Sequence, residues 1–170
     1  MDVTILGSGS PIPDAERAGP SGLVTAAGQH FLVDCGRGVL IRLAGAGIQV
    51  PQLTAVFLTH LHSDHTTDFN DVITTWWVMP MTAGRNLKVI GPPGTRAFVD
   101  RTIAAMSADV GYRIDHHADI STGPVVDVVE IGEGLALESG TVTVHARLVD
   151  NGVLRPAVRA TDIVARYGGD

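Results

Sequence analysis

Cysteine is almost missing from this chain of 170 residues. Cys35 stands alone, which excludes an internal disulfide and any metal site built from several cysteines. A lone thiol fits a reducing compartment, so a cytoplasmic protein is expected. Lysine is as scarce: Lys88 is the only one, and 12 Lys+Arg against 18 Asp+Glu leave a net charge of -6. There is no lysine cluster to grip a phosphate backbone by counterion release, which argues against tight, nonspecific nucleic-acid binding. Nor does any apolar run reach the ~18 residues of a membrane span, and the N-terminus lacks the basic-then-apolar order of a signal segment. What remains is an ordinary globular composition, 45% hydrophobic and 18% charged, sized for one domain over residues 1–170.

Along the chain, the apolar run Val3 to Leu6 reads as a strand entering the turn Gly7-Ser8-Gly9-Ser10-Pro11. Gly22 to Ala26 and His30 to Asp34 read as a hairpin. Val39, Leu40, Leu43 and Ala44 fall at helical spacing, and Leu53 to Thr59 is a β-rich run. A helix is expected over Asp68 to Met79, a strand over Lys88 to Ile90, and a helix from Thr95, as N-cap, to Met106. Three strands follow, at Val125 to Ile131, Leu135 to Leu137 and Thr141 to Val149. The i, i+3, i+4, i+7 spacing of Ala160, Ile163, Val164 and Tyr167 predicts a last helix over Arg159 to Tyr167.

The densest chemistry is Thr59-His60-Leu61-His62-Ser63-Asp64-His65, three imidazoles and a carboxylate just past the end of a strand. In an extended chain His60 and His62 point the same way, so two ring nitrogens can meet one metal ion. Asp64 and His65 follow at a turn that can swing a second pair of donors to a neighbouring position, which allows one or two ions. Neutral imidazole with carboxylate suits Zn²⁺, with Mn²⁺ or Fe as alternatives. The bland reading, exposed histidines capping a helix, is the weaker one, because four polar groups are costly to desolvate together unless something pairs them.

Other features carry less. Gly7-Ser8-Gly9-Ser10 and the helix start at Gly91-Pro92-Pro93-Gly94 could each offer N–H groups to an anion. His116-His117 beside Asp115 and Asp119 resembles a second metal motif, but adjacent side chains diverge, so a solvent-exposed or rim position is expected. Of the only two tryptophans, one of Trp76 and Trp77 is expected in the core and the other along a pocket or interface. Cys35 reads as a small buried residue.

The HxHxDH turn after a strand resembles the hallmark of the metallo-β-lactamase superfamily. The segments ILGSGSPIPDAERAGPS, FLVDCGRGVLIRL, FLTHLHSDH and VIGPPGT stand in the order of its ribonuclease Z and phosphodiesterase branch, over roughly residues 1–150. The resemblance implies an α+β fold, an αββα sandwich with metals at the edge of its sheets. It also implies His60 and His62 on one ion, Asp64 and His65 on the other, and attack on a phosphodiester by a metal-bound hydroxide that Asp64 helps orient or deprotonate. The branch's next ligand, a histidine after an aspartate, aligns with Asn151 after Asp150. His145 lies six residues earlier inside a strand, and beyond Pro156 there is neither a Gly-Asp-Thr turn nor a histidine. The sandwich is therefore expected to be incomplete at its C-terminus and to self-associate as a homo-oligomer. The functional expectation is a metal-dependent phosphodiesterase, with tRNA disfavoured by charge. The alternatives are a catalytically silent metal-binding remnant and a hydrolase of another ester class such as aryl sulfates.

Overall fold

The computed structural model describes residues 1–149 and 160–167. The chain opens with β1 (Asp2–Gly7) and the hairpin β2 (Ser21–Ala26) and β3 (Gln29–Val33), joined antiparallel. From there α1 (Val39–Gly45) carries it to β4 (Leu53–Phe57), which lies parallel to β3. Two helices, α2 (Ser63–Thr66) and α3 (Phe69–Val78), lead to β5 (Leu87–Gly91). Then α4 (Thr95–Ala105) and α5 (Ser107–His116) lead to β6 (Val126–Glu130), and β4, β5 and β6 run parallel. The six strands form one sheet in sequence order, and β7 (Gly134–Ser139), β8 (Val142–Val149) and β9 (Ala160–Tyr167) form a second, antiparallel one.

Side-chain alternation divides the core in two. Leu32, Val56 and Val89 leave the large sheet on one face, where they meet Val39 and Leu43 of α1, Phe69, Val72, Ile73 and Trp76 of α3, and Val99 of α4. Phe31, Ala55, Phe57 and Ile90 leave it on the other and meet Leu137, Val142 and Val144 of the small sheet. This gives helices, sheet and sheet, three of the four expected layers, and no helix among the described residues covers the outer face of the small sheet. The two sheets are also pinned at their turns: Gln29 Nε2 donates to the Ser139 carbonyl (2.7 Å) and the Ser139 hydroxyl donates to Gln29 Oε1 (2.5 Å).

Six strands face three, so part of the large sheet is bare. Val3 pairs with Val24, whose partner is Phe31, which sets Val3 and Ile5 on the inner face; they stay 61% and 68% exposed. No helix is long and apolar enough to cross a membrane among the described residues.

The expected strands and the helices at α1, α3 and α4 are present, with three differences. Residues 160–167 form a strand instead of a helix, paired in register from Val142↔Tyr167 to Val149↔Ala160. Thr161, Ile163 and Val164 are β-branched, and the long free edge of β8 outweighs a helical spacing that a short apolar segment carries by chance; Arg159 lies outside the described residues. Helix α5 was not expected, because none of its residues is buried and Gly111 sits at its middle, so its periodicity is faint. Helix α4 is capped by Gly94 at φ 100°, a backbone value that excludes a threonine cap; Thr95 is the first helical residue, and its hydroxyl donates to the Pro92 carbonyl (2.7 Å).

Candidate metal centre

The parallel strands β3 and β4 end side by side, and the loops leaving them build the histidine site. After β3 the chain turns through Asp34, at φ 61°, into Cys35 and Gly36. Holding a non-glycine residue there costs about 1–3 kcal/mol. Asp34 stays there because its buried carboxylate is saturated. Oδ1 accepts from the Thr59 N–H (2.8 Å) and the Thr59 hydroxyl (3.0 Å), and Oδ2 lies 2.7 Å from His65 Nδ1 and 2.8 Å from the same hydroxyl. The loop is then clamped to the histidine turn by its backbone. Cys35 N–H donates to the His65 carbonyl (2.7 Å), Asp68 N–H donates to the Cys35 carbonyl (3.0 Å), and Asp68 Oδ2 accepts from Gly38 N–H (2.6 Å). A Cβ on Gly36 would stand 2.7 Å from the Asp64 carbonyl oxygen, so only glycine lets the two loops approach this closely.

On this base the imidazoles gather. The His60 ring centroid lies 4.1 Å from that of His65 and 4.6 Å from that of His62. His62 is the extended residue that enters α2, and the Oδ2 of Asp64 lies 3.9 Å from His65 Nε2. All four expected donors are therefore brought to one place. The geometry does not divide them into the expected pairs, since His65 stands nearer to His60 than His62 does. Among the described residues no three His, Cys, Asp or Glu side chains are placed to hold a metal ion together.

Hydrogen bonding fixes which nitrogens are free. The single proton of the Thr59 hydroxyl is committed to Asp34, so at 3.0 Å from His60 Nδ1 this oxygen can only accept. His60 therefore carries its proton on Nδ1 and leaves the Nε2 lone pair open. A carboxylate can only accept as well, so His65 also donates from Nδ1, and its neutral form leaves Nε2 open. Burial, and then the proximity of His65, hold His60 below the ordinary imidazole range and keep it neutral. Burial also works against charge on His65, but the hydrogen bond and charge of Asp34 outweigh it, and the net displacement is upward. A neutral imidazole with an outward lone pair, its other nitrogen tied to a carboxylate or to a group that a carboxylate orients, is what a metal ion requires. By donor type and tautomer, His60 and His65 fit a metal ion.

Asp34 and Thr59 are the residues that sequence reasoning passed over. The signal was in the chain, a lone aspartate at a strand end beside the histidine strand, but only parallel pairing of β3 with β4 shows that the two ends meet.

The remaining expectations sort cleanly. His145 is exposed, on the face of β8 opposite the buried Val144 and Ala146, so it does not turn toward the inter-sheet core; Asp150 and Asn151 lie outside the described residues. The N-terminus of α4 is not open to an anion, because Glu130 Oε1 already accepts from Gly94 N–H (2.9 Å) and Arg96 N–H (2.8 Å). In the glycine turn, Gly9 N–H is spent on the Ala18 carbonyl (2.8 Å). His116 and His117 are exposed, with His116 Nδ1 bonded to the Tyr112 carbonyl of its own helix. Trp76 is buried and Trp77 half-buried, and both line one cavity, while Cys35 is fully buried.

Comparison with known proteins places this geometry. Residues 1–85 match the family described as Anti-Pycsar protein Apyc1. The chain is 50% identical over 158 residues to the ribonuclease Z of Mycobacterium sp. (strain KMS), covering 93% of this chain and 55% of that protein. Human tRNase Z, short form, superposes with a TM-score of 0.71 at 21% identity, covering 98% of this chain and 64% of that one. The metallo-β-lactamase fold protein YhfI from Bacillus subtilis does so at 0.68 and 20%, covering 96% and 56%. The chain spans about half the length of the curated relatives it matches. With the fold and the histidine turn beside the family match, the chain belongs to the family described as Anti-Pycsar protein Apyc1; it has the metallo-β-lactamase fold and is similar to ribonuclease Z over about half that protein's length.

Proposed function

We propose that the chain is a metal-dependent hydrolase of phosphodiesters, with His60, His62, Asp64 and His65 as its metal ligands. The observation that carries this reading is the pair of outward Nε2 lone pairs on His60 and His65, set by Asp34 and Thr59 in a chain 50% identical to a ribonuclease Z. Zinc suits the nitrogen-rich donor set best, as one or two ions, and Mn²⁺ or Fe suits it next. When bound, the metal supplies Lewis acidity at a phosphoryl oxygen and lowers the pKa of a water. The chain does the rest: Asp34 holds His65 in its ligating tautomer, Thr59 does the same for His60, and Asp64, half-buried beside His65, orients the water or takes its proton.

A net charge of -6 and a single lysine favour small phosphodiesters over tRNA as the substrate. Other esters, aryl sulfates among them, have the same tetrahedral demand. A second reading, metal binding without turnover, is favoured because no three donors among the described residues are placed to hold a metal ion together. Hydrolysis of bis(nitrophenyl) phosphate by the zinc-loaded protein, lost in the His60→Ala, His62→Ala double variant together with bound metal, supports the first reading. Metal retained with no hydrolysis of a phosphodiester, sulfate ester or lactone selects the second. Under the first, Asp64→Ala lowers kcat far more than it raises KM. We further propose a cytoplasmic homo-oligomer that buries the bare inner face of β1. Sedimentation equilibrium tests it, and a stable monomer at micromolar concentration would defeat it.

A further inference from the structure

A well-formed cavity among the described residues lies away from the histidine turn. It opens at the other end of the parallel strands, where Arg85 and Asn86 lead into β5 and Val125 leads into β6, with a volume of about 440 Å³. Strands of five residues at ~3.3 Å per residue set it about 15 Å from the histidines. Its walls are Trp76 and Trp77 at the end of α3, the segment 79–86, and the segment 119–125.

These walls are built by specific bonds. Trp76 Nε1 donates to the Arg85 carbonyl (3.1 Å), and the buried Thr82 hydroxyl bonds to the Met79 carbonyl (2.7 Å) and also to that of Trp76, which folds the 79–86 segment back onto the helix. Trp77 Nε1 donates to the Thr122 carbonyl (2.8 Å) and holds the opposite wall. The Arg85 guanidinium lies 4.9 Å over the Trp76 ring and donates once, at 3.3 Å, to the Pro51 carbonyl. Among the described residues it has no acidic partner, and Asp119, on the other wall, does not pair with it. The cavity thus combines an indole-lined wall with a cation that is held in place by stacking and keeps most of its five donors uncommitted.

We infer that this cavity binds a small aromatic anion, its ring against Trp77 and its carboxylate or phosphate on Arg85. The volume lies in the range of small-molecule sites, about 300–1,000 Å³, and a planar guanidinium pairs with either anion through two parallel hydrogen bonds. Asp119 limits the ligand to one anionic end, on the Arg85 side. The site is separate from the histidine turn, and its occupancy does not depend on metal or on the proposed reaction.

The test uses the full chain and four probes. Benzoate and phenyl phosphate carry both ring and charge, benzyl alcohol carries the ring alone, and inorganic phosphate carries the charge alone. Both tryptophans of the chain line the cavity, so intrinsic fluorescence reads it directly, with calorimetry as the independent measure. Benzoate or phenyl phosphate is expected to bind saturably, at least about tenfold more tightly than benzyl alcohol or phosphate. Arg85→Gln should weaken that binding by about tenfold, and His60→Ala should leave it unchanged. If Arg85→Gln does not fold, Thr122→Trp, which fills the cavity from the other wall and keeps the cation, should abolish binding. No saturable binding, equal binding of the uncharged ring, parent affinity in the variant that folds, or loss of binding in His60→Ala would each overturn the inference. The last would assign the anion to the histidine turn.

Discussion

Replacing Asp34 by asparagine separates what this residue does for the fold from what it does for the metal. Asparagine tolerates φ near +60°, so the backbone turn persists. The Thr59 N–H is a fixed donor, so the amide must set its oxygen where Oδ1 now stands and its NH₂ where Oδ2 stands. That NH₂ faces His65 Nδ1 at hydrogen-bonding distance. Two donors cannot share one contact, so His65 moves its proton to Nε2, the nitrogen that must be bare to bind metal. Partners of this kind are worth about 10–100-fold in metal affinity, or ~1.4–2.7 kcal/mol. Stability should fall by only about 1 kcal/mol, the difference between a charge-assisted and a neutral hydrogen bond. By contrast Asp34→Ala leaves a threonine N–H unpaired and costs about 2–4 kcal/mol in folding as well. Competitive chelator titration measures the affinity, urea unfolding the stability, and nitrogen-15 imidazole shifts the tautomer. An Asp34→Asn protein with parent metal affinity and an unchanged His65 tautomer would refute the reasoning.

Three further outcomes are expected. Gln29→Ala removes both bonds that pin the sheet turns together and should destabilise the protein by about 1–2 kcal/mol in urea unfolding, without changing metal affinity. The Cys35 thiol is fully buried, and desolvation together with the charges of Asp34 and Asp68 raises its pKa well above the ordinary thiol value; maleimide labelling at pH 7 should therefore proceed only on unfolding, and rapid labelling of the native protein would contradict the packing described. His145→Ala should leave metal affinity within twofold of the parent, as chelator titration would show, because the exposed ring lies on the face of β8 turned away from the large sheet.

Much of the fold was legible because its strands declare themselves locally. Val3 to Leu6, the hairpin about Gly28, and the β-rich runs before His60 and before Gly91 all end in punctuation by glycine, proline or polar turns. Helix α3 showed its buried stripe of Phe69, Val72, Ile73 and Trp76 in the same way. Where no face is buried, as in α5, or where a β-branched segment also matches a helical spacing, as in residues 160–167, local pattern stops short of the answer that long-range pairing decides. The three histidines of the site were visible because they lie within six residues. Asp34 was not, because its contact with His65 spans 31 positions and exists only once β3 lies beside β4.

That long-range contact also locates what the centre owes to each half of its fold. Every hydrogen bond described at the histidine turn comes from residues 34 to 68, between the end of β3 and the start of α3. The tautomers of His60 and His65 and the approach of the two loops at Gly36 are therefore settled within the first half of the chain, before the small sheet is reached. The longer relatives have as much chain again, and a metal ion needs donors on more than one side to be held tightly. The first half positions the donors that it supplies, and the number of donors sets how strongly the ion is kept. It follows that the loss of Asp34 and the loss of a histidine should look different. The first changes a proton's position on a ring that remains, and the second removes the ring.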